Sequence, residues 1–199
     1  MFIDIMKKLI ALVVFLSFFL IGTAAAEESK LSYSHVAVSY FDGDILDVGA
    51  DGFGLRGSIG FASSWFASLE YNAGELEGAD LDLDEIAVDL GYHWGVGAKT
   101  DLVASIGYSK IDPDVNVNNL QFLSDSANGY DLNFGVRGKP VDQFEYGVFV
   151  TYYNGGDFNS DVQLSGEARY HFSAPVSVGV KYRNSDDFDY WGVDLRYDF

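Results

Sequence analysis

The chain has 199 residues, with 12 Lys and Arg against 30 Asp and Glu, a formal net charge of −18 and no cysteine. That balance disfavours nucleic acid, whose phosphates demand the opposite sign, and it disfavours a simple anion channel. Without cysteine, neither disulfides nor a thiolate metal site can hold the fold, so a hydrogen-bonded sheet and packing must.

In chain order, residues 1–26 read as an export signal. Lys7 and Lys8 form the positive end, Leu9 to Ile21 the apolar run, and Ala24-Ala25-Ala26 a small-residue cleavage site before Glu27. Met6-Lys7-Lys8 is an alternative start. A membrane-spanning helix needs ~20 apolar residues, whereas this run ends in Thr and Ala and meets an acidic flank. Cleavage after about Ala26 removes Lys7, Lys8 and Asp4 and leaves ten bases against 29 acids, a net charge of −19. No other uninterrupted apolar helix candidate follows, so a membrane location for residues 27–199 requires strands.

From Leu31 onward, runs of about ten residues alternate apolar and polar, separated by Gly-, Asp- and Asn-rich segments, the pattern of successive hairpins. Ten runs are expected as strands: Leu31 to Tyr40, Gly52 to Phe61, Trp65 to Ala73, Glu85 to Trp94, Asp101 to Ile111, Gly129 to Gly138, Gln143 to Tyr153, Asp161 to Phe172, Val176 to Arg183 and Tyr190 to Phe199. In the fourth, Ile86, Val88, Leu90, Tyr92 and Trp94 alternate with Ala87, Asp89, Gly91 and His93, and successive side chains take opposite faces. The run Asp80 to Asp84 is out of register with this pattern and is placed in a loop or beyond a bulge. Connections after the even-numbered runs are tight, for example Ala62-Ser63-Ser64. Those after the odd-numbered runs are longer and polar, the longest being Asp112 to Asn128.

One greasy and one charged face per strand fit a barrel with lipid outside and a wet lumen inside. Because lipid offers no hydrogen-bond partner, the first and last strands must pair and close the sheet. The aromatic residues test this separately. Phe61, Trp65, Trp94, Phe144, Tyr170, Phe172, Tyr197 and Phe199 fall at turn ends on the outward register, and Tyr40, Phe53, Tyr71, Tyr108, Tyr130, Tyr152 and Tyr182 at loop ends. Two belts are what interfacial rings produce.

The final run, Tyr190-Trp191-Gly192-Val193-Asp194-Leu195-Arg196-Tyr197-Asp198-Phe199, stops on its outward aromatic. It resembles the terminal strand of Gram-negative outer-membrane β-barrels, and the whole of 27–199 is similar to the small-barrel superfamily of OmpA-type transmembrane domains and OmpX-like proteins. The resemblance implies an all-β closed antiparallel transmembrane barrel in the outer membrane, with lipid and lipopolysaccharide as neighbours. It also implies that Tyr197 and Phe199 form the signal read by the barrel-assembly machinery. Two departures stand out: ten strands are expected here, with that family's eight as the alternative count, and no wall-binding domain follows Phe199.

On the inward register lie six bases, Arg56, Arg137, Arg169, Lys181, Arg183 and Arg196, and six acids, Glu70, Asp89, Asp131, Glu145, Glu167 and Asp194. In a narrow barrel such a set is expected to pair across the interior and plug it, since wide aqueous lumens come with many more strands. Eighteen of the acids, among them Asp42, Asp44, Asp82, Asp84, Glu85 and Asp112, are assigned to the long loops. There they form a negative external rim that divalent cations could bridge to lipopolysaccharide. No catalytic motif or cofactor site is found, and His93 and His171 are expected as structural partners of lumen carboxylates. The leading expectation is a non-enzymatic barrel with an envelope-structural or surface-interaction role, with a narrow porin-like channel as the alternative and a barrel hydrolase third.

Overall fold

The computed structural model describes residues 31–45, 48–76, 81–117, 120–123, 127–155, 160–173, 175–186 and 188–199. The expected export signal, 1–26, lies outside them. Eleven strands follow one another: β1 His35–Ile45, β2 Val48–Phe61, β3 Trp65–Leu76, β4 Leu81–Gly97, β5 Thr100–Val117, β6 Leu120–Leu123, β7 Ala127–Val141, β8 Phe144–Gly155, β9 Asp161–Ser173, β10 Val176–Asn184 and β11 Phe188–Asp198. Ten of them, all but β6, make a closed antiparallel ring. Each pairs with its chain neighbours, β5 pairs with β7 across the short β6, and β1 pairs with β11 from His35 opposite Asp198 to Ile45 opposite Phe188. Every backbone edge in the wall therefore has a partner, as hydrocarbon demands.

Alternation sorts the side chains as the pattern predicts. Val36 and Val38 face out while Ala37 is buried in the lumen, and Val88 and Leu90 face out beside an inward Asp89. The molecule is apolar outside and polar within. Exposed residues include Phe61, Trp65, Trp94, Phe144, Tyr170, Phe172, Tyr197 and Phe199 at the turn end, and Phe53, Tyr71, Tyr108, Tyr130, Tyr152 and Tyr182 at the other. Tyr40 is half-buried, with its ring 5.4 Å from that of Phe53. Val136 departs from the expected lipid exposure, being buried on its outward register.

At the turn ends the connections are short. Ala62 (φ 46°) and Ser63 (φ 65°) both take the left-handed region that non-glycine residues rarely adopt, which lets Phe61 sit opposite Trp65 across three residues. All three register shifts in the ring, at Gly95/Gly97, Gly138/Val141 and Val176/Ser177, also lie at this end, as bulges at barrel rims do.

At the loop end, several residues expected in loops are strand. A spanning strand needs ~9–11 residues, and β4 and β5 run to 17 and 18. Leu81 to Glu85 continue β4 in unbroken register against Val115 to Ile111, so Asp82 and Asp84 occupy strand positions and not a loop or bulge. Asp112 and Asp114 lie in β5, which continues to Val117 and pairs there with β6, so Asp112 to Asn128 is no open loop. The first hairpin is paired up to Ile45 opposite Val48, which makes Asp42, Asp44 and Asp51 strand residues as well. Beyond the lipid both faces are wet, so acids can occupy the outward register and hairpin pairing can continue without an apolar face.

The expected first strand is also corrected. It starts at His35, and Leu31 to Ser34 precede it at the turn end, with Leu31 and Tyr33 buried.

Candidate functional site: the barrel lumen

Three tiers of side chains fill the interior. At the turn end, Tyr33 and Leu31 pack with Val103 of β5, Phe66 of β3 and Phe149 of β8 in a small apolar cluster. Phe66 and Phe149 sit on the inward register opposite Gly91 and Gly135, over which their rings lie. The Tyr33 ring stacks on His93 at 4.0 Å and 6°, and the Arg137 guanidinium lies 4.8 Å from its centroid. Its hydroxyl donates to Asp101 Oδ2 (2.9 Å), which His93 Nδ1 also approaches at 3.3 Å. Backbone contacts fix this segment: Ser58 Oγ donates to the Tyr33 carbonyl (2.8 Å), the Gly60 amide to Ser34 Oγ (3.0 Å), and the Phe199 amide to the Ser34 carbonyl (3.1 Å).

Beside the plug, Glu145, 1% exposed, gathers two guanidiniums and a histidine. Arg137 Nε donates to its Oε1 (2.8 Å), Arg196 donates to both oxygens (3.2 and 3.1 Å), and His171 Nε2 lies 3.2 Å away. Arg196 also meets Asp198 at 2.8 Å. A second pair, Arg169 with Asp194, is bidentate (2.7 and 2.9 Å). In the third tier Glu70 takes Arg56 Nε (2.7 Å) from the adjacent β2 and Arg183 (3.3 Å) from β10 on a distant part of the ring. Asn72 bridges Glu70 to Glu85 (3.3 and 2.9 Å).

Of the twelve charged residues expected inside, eight therefore meet in ion pairs: Arg56, Glu70, Arg183, Arg137, Glu145, Arg196, Arg169 and Asp194. Among the described residues, Asp89, Asp131, Glu167 and Lys181 have no salt-bridge partner, although Asp89 accepts a hydrogen bond from Ser68 Oγ (3.0 Å). The even count of six and six also changes. Glu85, expected at the start of the fourth strand but counted with the loop acids, lines the lumen with its Asn72 contact, and Asp101 and Asp198 join the turn-end network. The sequence pattern did not single out Tyr33, Phe66 and Phe149; for Phe66 and Phe149 the signal is an aromatic ring on the inward register. Tyr197 and Phe199 lie on the outer surface.

Between the tiers a cavity of about 230 Å³ with mixed polar and apolar walls remains. At ~30 Å³ of liquid volume per water that is room for roughly eight waters or more, and it is below the ~300 Å³ at which ligand pockets begin.

A closed antiparallel ring with an apolar, aromatic-girdled wall and an ionic interior defines an integral outer-membrane β-barrel. The model of the outer membrane protein beta-barrel domain matches residues 11–163, and the chain belongs to that family. No curated protein matches the sequence. Among solved structures, the NanC porin aligns with TM-score 0.53 at 10% identity, covering 82% of this chain and 100% of that one. The N-terminal β-barrel domain of Pseudomonas aeruginosa OprF aligns with TM-score 0.47 at 12% identity (84% and 100% covered). Ail, the attachment invasion locus protein of Yersinia pestis, aligns with TM-score 0.42 at 14% identity (83% and 95% covered). At such identities the likeness to NanC is one of fold alone.

Proposed function

We propose that this protein is a non-enzymatic outer-membrane barrel that acts through its shape and its acidic outer rim, not as a solute channel. On this reading, residues 1–26 are removed after about Ala26, and the assembly machinery reads the strand ending in Tyr197 and Phe199. The rim carboxylates face lipopolysaccharide, with divalent cations between them. The observation that carries the proposal is the turn-end plug. Tyr33 is held by stacking on His93 and a hydrogen bond to Asp101, and beside it Glu145 ties β7, β9 and β11 together through Arg137, His171 and Arg196.

Planar-bilayer recording tests it. The full-length mature barrel should give no sustained unitary steps, whereas deletion of residues 27–34 should produce them. Sustained steps from the intact barrel would defeat the closed reading. The mid-lumen cavity supports a second reading, a narrow porin-like path for small solutes, and that same outcome would favour it.

A further inference from the structure

One rung of the lumen wall brings like charges together. Asp89 of β4 and Asp131 of β7 both stand opposite Gly107 of the intervening β5. A Cβ on Gly107 would lie 2.2 Å from Asp131 Oδ2 and 2.5 Å from Asp89 Oδ1, so these oxygens are no more than 4.7 Å apart, the sum of the two distances. Only glycine lets them converge. Neither carboxylate has an ion pair among the described residues, and Arg183, the base whose charge bears on Asp131, is engaged by Glu70. Asp131 is 7% exposed, has no hydrogen-bond partner among the described residues and lines the cavity. Independently, Ser109 on the next rung is 8% exposed, lines the same cavity and likewise has no side-chain hydrogen bond among the described residues.

Two carboxylates this close do not both hold charge in a confined space unless a proton or a cation lies between them. Asp89, Asp131 and Ser109 all line the same cavity, which leaves room beside the pair for a cation and its waters. We propose that Asp89 and Asp131 form a lumen seat for one hard divalent cation, Ca²⁺ or Mg²⁺, with the Ser109 hydroxyl and water completing its oxygen shell. Among the described residues no third carboxylate or imidazole joins the pair to make a full protein cage. The affinity therefore belongs in the ~10⁻⁴–10⁻³ M range of the weaker oxygen-ligand sites. The seat is distinct from the rim acids, because it lies within the wall on the inward register.

The test is calorimetric titration of the refolded mature barrel in detergent with Ca²⁺ and with Mg²⁺, for wild type, Asp131→Asn and Gly107→Ala. One class of sites should weaken at least tenfold in both variants while rim binding persists. A second measurement guards against misfolding. In chelator, Asp131→Asn should melt above wild type because like-charge repulsion is gone, and Ca²⁺ should narrow or reverse that gap. Identical isotherms for wild type and Asp131→Asn would overturn the proposal and leave a proton shared by the carboxylates. A melting gap indifferent to Ca²⁺ would overturn it equally.

Discussion

Glu145 shows how much can rest on one side chain. Its two oxygens serve Arg137, Arg196 and His171 in a nearly dry position. A carboxylate here does more than attract: it also satisfies donors that have no water to turn to. Removing one member of such a set leaves the others buried and uncompensated, which costs about 3–5 kcal/mol. Glu145→Gln, nearly the same in shape, should lower stability by that order in urea unfolding from detergent, whereas Asp112→Asn at the exposed rim should be within about 0.5 kcal/mol. Equal losses at both positions would show that the network contributes no stability. Arg183 to Glu70 makes the same point across the ring, since a 3.3 Å contact joins strands that are not neighbours.

At the scale of the strand, the two faces answer to different solvents. Leu90 on β4 is outward and 45% exposed, between Trp94 at the turn end and Tyr71 and Ile86 nearer the loops. An arginine placed there must carry its charge into hydrocarbon, at about 2–4 kcal/mol near the midplane. Leu90→Arg should therefore destabilise the barrel by that amount in bilayers, as measured by reversible folding. The inward neighbour Asp89 should tolerate Asn far better. A neutral effect at Leu90 would mean that face is not in lipid. Past the membrane the same strands continue as paired hairpins with acids on both registers, so strand length here reports hydrogen-bond pairing and not membrane thickness.

For the molecule as a whole, the tryptophan rings point outward. Trp65, Trp94 and Trp191 are all exposed, at 41–49%. In bilayers containing brominated lipids, the fluorescence of all three should be quenched, measured in single-tryptophan variants. A tryptophan that stayed bright would have its ring turned away from lipid. Closure works at the same scale. Because β1 pairs with both β2 and β11 along its whole length, no strand can leave without exposing two rows of amides, and the wall should unfold as a unit.

What the sequence determined by itself was everything that depends on period two: strands, faces, aromatic belts, ten spanning elements and the need for closure. That information is local, since neighbouring side chains must take opposite sides of a strand whatever lies across from it. The tertiary structure alone decided who meets whom across the lumen. Arg183 reaches Glu70, and Glu145 gathers groups from three other strands, because the stagger of a closed ring sets which residues share a level, and no spacing along the chain encodes that. The extent of the outer hairpins was hidden for a related reason. Above the lipid the outward face no longer has to be apolar, so Leu81 to Asp84 still alternates but in the inverted phase, and Asp82 and Asp84 read as loop although their backbone remains paired. The apolar plug was not legible: Leu31 and Tyr33 fell in the expected first strand, and only the folded barrel shows them packed against Phe66 and Phe149 and closing the turn end.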